Sequence, residues 1–175
     1  MSKSHKWQQF CRYFLNLQFS WLPVFKLYNL KIRWLATAGI TAGENAKVNG
    51  HTQFYGDGRI EIGHGTWIGP GCRFYSNDMA PILIGNNCDV APEVAFVTGS
   101  HELGGQSRRA GSGTARTIVI GDGCWIGARA TILGGVHIGK SSVIAAGALV
   151  SEDIPENSLA GGVPAKVIKK LPEDE

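Results

Sequence analysis

Residues 118–150 read IVIGDGCWIGARATILGGVHIGKSSVIAAGALV, and their periodicity decides the fold. Counting in sixes from Ile120 meets Ile126, Ile132, Ile138, Ile144 and Val150. The same phase runs upstream through Ile62, Ile68 and Phe74 and, after a short insertion, through Ile84, Val90 and Phe96. Every one of these positions is apolar. Glycine follows directly at 63, 69, 85, 121, 127 and 139. Four residues beyond the apolar position stands a small or β-branched residue, as at Thr66, Cys72, Cys88, Val94, Ser100, Cys124, Ala130, Val136, Ser142 and Ala148.

A period of six matches neither an amphipathic helix nor a half-buried strand, and points to a stacked repeat. Three hexads close one turn of a triangular coil. The large apolar residue points inward and stacks on its equivalent one coil away, near the ~4.8 Å spacing of paired strands. The small residue fills the tight interior corner, and the glycine avoids a Cβ clash. One coil cannot bury its own apolar row, so several must stack. The expected fold is all-β: a parallel β-helix of hexapeptide repeats covering about 62–155, with an N-terminal helical segment, an extruded loop near 102–117 and a short C-terminal tail. As domains, the chain divides into a basic, aromatic, helical segment (1–45), the β-helix domain (46–160) and a C-terminal extension (161–175).

This frame explains several residues that would otherwise attract attention. The four cysteines, Cys11, Cys72, Cys88 and Cys124, form no CxxC pair, so neither a disulfide framework nor a zinc site is expected. Three of them fall in the small interior slot. Reduced thiols fit a cytoplasmic protein. Residues 134–141, GGVHIGKS, match a phosphate-binding P-loop pattern, but the hexad phase runs through them where a P-loop needs a helix. His51, His64 and His137 have no partner at metal-ligand spacing, and no metal is expected.

Composition narrows the function. The 175 residues carry a net charge of +3, too small to suggest a nucleic-acid partner. No apolar run is long enough to span a bilayer, and no signal peptide is evident, since Arg12, Asn16 and Gln18 interrupt the N-terminal apolar residues. The charge is uneven. Lys3, Lys6, Arg12, Lys26, Lys31 and Arg33 all precede the first acidic residue, Glu44. Trp7, Phe10, Tyr13, Phe14, Phe19, Trp21, Phe25, Tyr28 and Trp34 share that stretch. Phe10, Phe14 and Leu17 follow helical spacing, Pro23 should interrupt the helix, and a second helix is expected over about 24–35. Such a segment either makes peripheral contact with an anionic membrane through residues 1–35 or packs on its own domain or a neighbouring subunit.

Function on a solenoid is commonly carried where the repeat is interrupted. A short interruption covers about 77–81, and a long one covers 102–117, ELGGQSRRAGSGTART. His101, with Glu102 beside it, stands at the root of the long one. A histidine there suits proton transfer near neutral pH; a surface histidine without a role is the plain alternative.

The hexads resemble the left-handed β-helix acyltransferases. Residues 84–171 are similar to the maltose and galactoside O-acetyltransferase group, through IGNNCDVAPEVAF, VTGSHEL and the long stretch from TIVIGDGCWIGARA to the ending DIPENSLAGGVPAKVIKKL. The first 45 residues instead resemble enzymes of surface-polysaccharide and lipopolysaccharide O-acetylation. The left hand of the coil comes from this resemblance. The resemblance also implies a homotrimer with the donor groove between the β-helices of adjacent subunits, acetyl-CoA as acyl donor and a sugar hydroxyl as acceptor. It makes His101 the catalytic base and places Asn77, Asp78 and Glu102 at the acceptor. Trp125 would line the donor groove, the backbone of Ala128 and Ala146 would meet the thioester and pantetheine arm, and Ser151, Lys166 and Lys169 would lie near the adenine and phosphate end. Glu152 departs from the pattern, since the family often has lysine there, and the acceptor-side insertion is shorter here. Two alternatives remain on this scaffold: N-acetylation of a nucleotide-linked amino sugar, and a β-helix that only binds or scaffolds. A metal-dependent hydratase of the γ-carbonic-anhydrase type needs three convergent histidines, which this pattern does not offer.

Overall fold

The computed structural model describes residues 3–172. The extremities of the N- and C-terminal segments, 1–2 and 173–175, lie outside the described residues. Two helices, α1 (Lys3–Trp21) and α2 (Tyr28–Thr37), precede a coil of short strands. Pro23 ends the first helical run, and α2 begins at Tyr28 rather than near 24 because the chain passes through a left-handed turn at Leu27 (φ 59°).

The coil has three parallel sheets. The first contains, in spatial order, Ile40–Ala42, Ile60–Ile62, Ile82–Ile84, Ile118–Ile120 and His137–Ile138. The second runs from Lys47–Val48 through Trp67–Ile68, Asp89–Val90, Trp125–Ile126 and Val143–Ile144 to Ser158–Gly162, and Ala165–Lys170 adds an antiparallel edge. The third contains Gln53–Gly56, Arg73–Ser76, Ala95–Val97, Thr131–Leu133 and Leu149–Val150. Registers obey the hexad: Ile126 pairs with Val90 and Ile144, and Phe74 with Phe54 and Phe96.

The inward rows form the core. Phe54, Phe74 and Phe96 are fully buried and stack with ring centroids 5.0 and 4.9 Å apart. Cys72, Cys88 and Cys124 are buried free thiols in the small slot. The glycine after each large residue marks a close approach between coils. A Cβ on Gly63 would lie 2.3 Å from the Gly85 carbonyl oxygen, and one on Gly139 2.3 Å from the Glu156 nitrogen.

Three features differ from the expectation. The coil begins at Ile40, inside the 1–45 segment expected as helical and ahead of the series at Ile62, whose phase a longer step from Phe54 breaks. Ser100 is exposed rather than interior; it has left the coil, and the last inward position before it is the buried Thr98. The stretch expected as a loop over 102–117 is mostly a β-hairpin. Gly99–Leu103 pairs antiparallel with Ala110–Ala115, which satisfies backbone groups that a free loop would leave to water.

The helices close the open end of the coil. Leu15 and Phe19 of α1 are buried, and the Phe19 ring meets Phe54 edge-on at 6.0 Å, ending the phenylalanine stack. Arg12 lies buried beside them. Its guanidinium donates to the Ala38 and Gly58 carbonyls at 3.2 and 2.7 Å and to Ser76 Oγ at 2.8 Å. Burial lowers its pKa to about 10, with Asp57 opposing the shift, so the group stays charged at neutral pH. Lys31 is also buried and donates to the carbonyls of Pro23 and Val24 at 2.8 and 2.9 Å, which ties α2 to the turn before it.

Candidate active site

The departures from regular coiling share one edge. Residues 57–59, 77–81 and 98–117 each connect the third sheet to the first on successive coils. Asn77, Asp78 and His101 therefore rise from the same edge. Asn77 Oδ1 accepts the Met79 N–H at 3.0 Å, and Asn77 bridges to Ala80, so a tight turn carries it. Asp78 and Glu102 are exposed. His101 lies in the hairpin opposite Gly113, with its Nδ1 3.0 Å from the Gly111 carbonyl oxygen. A carbonyl only accepts, so this contact puts the proton on Nδ1. In the neutral ring the lone pair is then on Nε2, the arrangement a base requires.

A second group lies around the outer face of the second sheet. Trp125 is 58% exposed there. Its register runs through Val143 and Leu159 to Lys169, all on the outward face. At the spacing of paired strands, Trp125 and Lys169 stand about 14 Å apart. The connection from the second to the third sheet carries Ala128 and Ala146, one coil apart, with the Gly147 N–H donating to the Ala128 carbonyl at 2.8 Å. They line an open hollow of about 440 Å³ together with Pro92, Glu93, Arg129 and Gly147. The N–H groups of Ala128 and Ala146 donate to no backbone carbonyl among the described residues. The same turn position is Pro70 and Pro92 on the two preceding coils, where no N–H exists. The exchange of proline for alanine leaves two backbone N–H groups without a backbone acceptor at the hollow. The exchange is visible in the sequence when the hexads are set in register, though apolar spacing by itself does not mark it. Spacing also misses the Arg129–Glu93 ion pair at 2.7 Å on the rim of the hollow.

Ser151 and Glu152 follow the last strand of the third sheet and are exposed. Lys166 Nζ meets Glu152 Oε2 at 2.9 Å. The acidic residue thus engages one of the two lysines assigned to the phosphate end and leaves Lys169 on the open face.

One chain therefore brings Asn77, Asp78, His101 and Glu102 to the edge between the third and first sheets, and Trp125, Ala128, Ala146 and Lys169 to the opposite face and its corner with the third sheet. The strands of the third sheet separate the two groups. The cysteines belong to neither. Burial pushes the Cys72 thiol up to about 12, and the adjacent Cys88 thiol together with burial pushes Cys124 up, so these two are packed as neutral side chains. Among the described residues, no cluster of His, Cys, Asp and Glu is arranged to hold a metal ion. Also among them, no helix is long and apolar enough to cross a membrane.

Known proteins share this fold. Residues 117–152 match the bacterial transferase hexapeptide (six repeats) family. Galactoside O-acetyltransferase of Escherichia coli is 36% identical over 137 residues, covering 75% of this chain and 64% of that protein. The chain spans between about half and two thirds of the length of the curated relatives it matches. Among solved structures, a hexapeptide-repeat acetyltransferase of Vibrio cholerae complexed with acetyl coenzyme A superposes with a TM-score of 0.86 at 29% identity, covering 98% of this chain and 91% of that one. A galactoside acetyltransferase in complex with coenzyme A gives 0.84 at 28% identity, covering 98% and 84%. With the stacked hexads, the three parallel sheets and these likenesses in hand, the chain carries the bacterial transferase hexapeptide repeat and has the fold of the hexapeptide-repeat acetyltransferases.

Proposed function

We propose that this protein is an acetyl-CoA-dependent O-acetyltransferase that acts on a sugar hydroxyl in surface-polysaccharide or lipopolysaccharide synthesis on the cytoplasmic side of the membrane. The observation that carries this reading is the exposed His101, whose Nδ1 contact to the Gly111 carbonyl leaves Nε2 as the acceptor. A sugar hydroxyl is a poor nucleophile while protonated. His101 Nε2 takes that proton as the oxygen attacks, and the resulting imidazolium returns it to the departing thiolate. Asn77, Asp78 and Glu102, from the same edge, orient the sugar.

The residues of the second group fit the donor. Small side chains at Ala128 and Ala146 admit a thin arm along the hollow, and their free N–H groups supply donors for it. The donor, when bound, supplies an activated thioester carbonyl. In this reading the Ala128 N–H stabilises negative charge on that carbonyl oxygen. Lys169 attracts phosphate as a point charge, Ser151 and Lys166 complete that end, and Glu152 moderates it through Lys166.

The separation of the two groups within one chain favours a homotrimer, in which the His101 edge of one coil faces the Ala128 hollow of the next. An acceptor screen with radiolabelled acetyl-CoA tests the reading. Label on hydroxyl sugars supports it. Exclusive labelling of amino sugars selects N-acetylation, and no transfer with any acceptor removes the enzymatic reading.

A further inference from the structure

The helix α1 has two opposite faces, and only one is used by the fold. Arg12, Leu15 and Phe19 point into the coil. Trp7, Phe10, Phe14, Leu17 and Trp21 recur at alternating steps of three and four along the other side and remain exposed, Trp7 by 64% and Trp21 by 88%. The rings touch along the stripe, Trp7 on Phe10 at 5.6 Å and Phe10 on Phe14 at 4.7 Å. Beyond the helix, Phe25 is 61% exposed. The same cap exposes Lys6, Lys26 and Arg33, and no acidic residue precedes Glu44. A contiguous aromatic surface of this kind normally has an occupant.

We infer that this outer face of α1 docks on an anionic lipid surface. Charge complementarity selects the occupant. The cap is cationic without a counter-charge of its own, so a second copy of it would be repelled, whereas an anionic bilayer attracts it. Trp and Tyr also favour the interface between headgroup and acyl chain, and an in-plane helix buries one apolar face there.

The inner face of α1 gives the docking a consequence. Arg12 grips Gly58 and Ser76, and Gln9 donates to Asp57 at 3.2 Å, all at the edge that carries Asn77 and His101. A membrane-laid α1 therefore holds the acceptor edge close to the bilayer, as a lipid-linked glycan requires. This last step rests on the proposed acetyl transfer; the docking itself does not.

Co-sedimentation of the full chain with vesicles is the test. Vesicles of phosphatidylcholine with phosphatidylglycerol should bind the protein, and pure phosphatidylcholine vesicles far less. Neutralising Lys6, Lys26 and Arg33 to Gln should weaken partitioning on the order of 100-fold, from the usual worth of a basic residue near an anionic surface. W7Q/F10Q/F14Q should abolish binding while leaving the coil's far-ultraviolet circular dichroism intact. Failure of the parent protein to bind the anionic vesicles overturns the proposal. So does an aromatic-dependent rise in mass without lipid binding, which would make the stripe a contact between copies. Neither readout involves acetyl transfer, so docking and catalysis fail independently.

Discussion

Ala128 occupies, on its coil, the turn position that Pro92 holds on the coil before it. The Arg129 N–H donates to the Pro92 carbonyl at 3.0 Å, and Ile126 pairs with Val90, so the two turns are in register. Proline therefore fits this turn, and Ala128 differs from it chiefly by retaining an N–H. Ala128→Pro should fold with a nearly unchanged melting temperature yet lose about 10²–10³-fold in turnover, the usual effect of removing one oxyanion donor. Steady-state acetyl transfer beside thermal unfolding checks this; full activity in the variant would remove the N–H from the mechanism.

His101→Ala should lower turnover on the order of 10²–10⁴-fold, the usual contribution of a general base. Acetyl-CoA affinity should stay near that of the parent, because the donor residues lie on the other face. Single-turnover kinetics and calorimetric titration separate the two quantities.

Arg12 satisfies three acceptors from one guanidinium, and Lys cannot reproduce that planar fork. Arg12→Met should cost about 3 kcal/mol by leaving buried acceptors without a donor, and Arg12→Lys should recover little of it. Urea unfolding measures both. Because Ser76 adjoins Asn77, the KM for the acceptor should rise in these variants while that for acetyl-CoA does not.

Cys72 gives a pH-dependent signature. Its thiol titrates near 9 when unfolded and near 12 in the fold. Between those values the unfolded chain has released the proton and the native one retains it. Stability should therefore fall as pH rises above 9, by up to about 1.4 kcal/mol per unit from this group. Cys72→Ala, which places in the slot the residue already found at 130 and 148, should make the alkaline limb of the stability curve shallower. An unchanged slope would mean that the thiol ionises in place.

The period of six by itself determined that this chain is a parallel coil, because only stacking buries a row such as Ile120 to Val150, and it assigned Cys72, Cys88 and Cys124 to the interior. It also marked 77–81 and the stretch after His101 as interruptions, since polar, Gly-rich residues cannot continue an apolar row. The apolar series did not reach the first coil because the longer connection at Asp57–Gly58 put Val48 and Phe54 out of phase with Ile62, and the opening strand at Ile40 fell in the segment read as helical. Tertiary structure alone decided the rest. Coiling stacks residues distant in sequence, and only then do Asn77 and His101 share an edge while Ala128 and Trp125 sit across the third sheet from them. Hydrogen bonding, not composition, turned 99–115 into a hairpin and set the proton on His101 Nδ1. Burial of Arg12 likewise could not be read from a basic N-terminus. Charge pattern reports which residues are cationic, and only packing reports which of them face the coil and which, with the Trp7–Trp21 stripe, face outward.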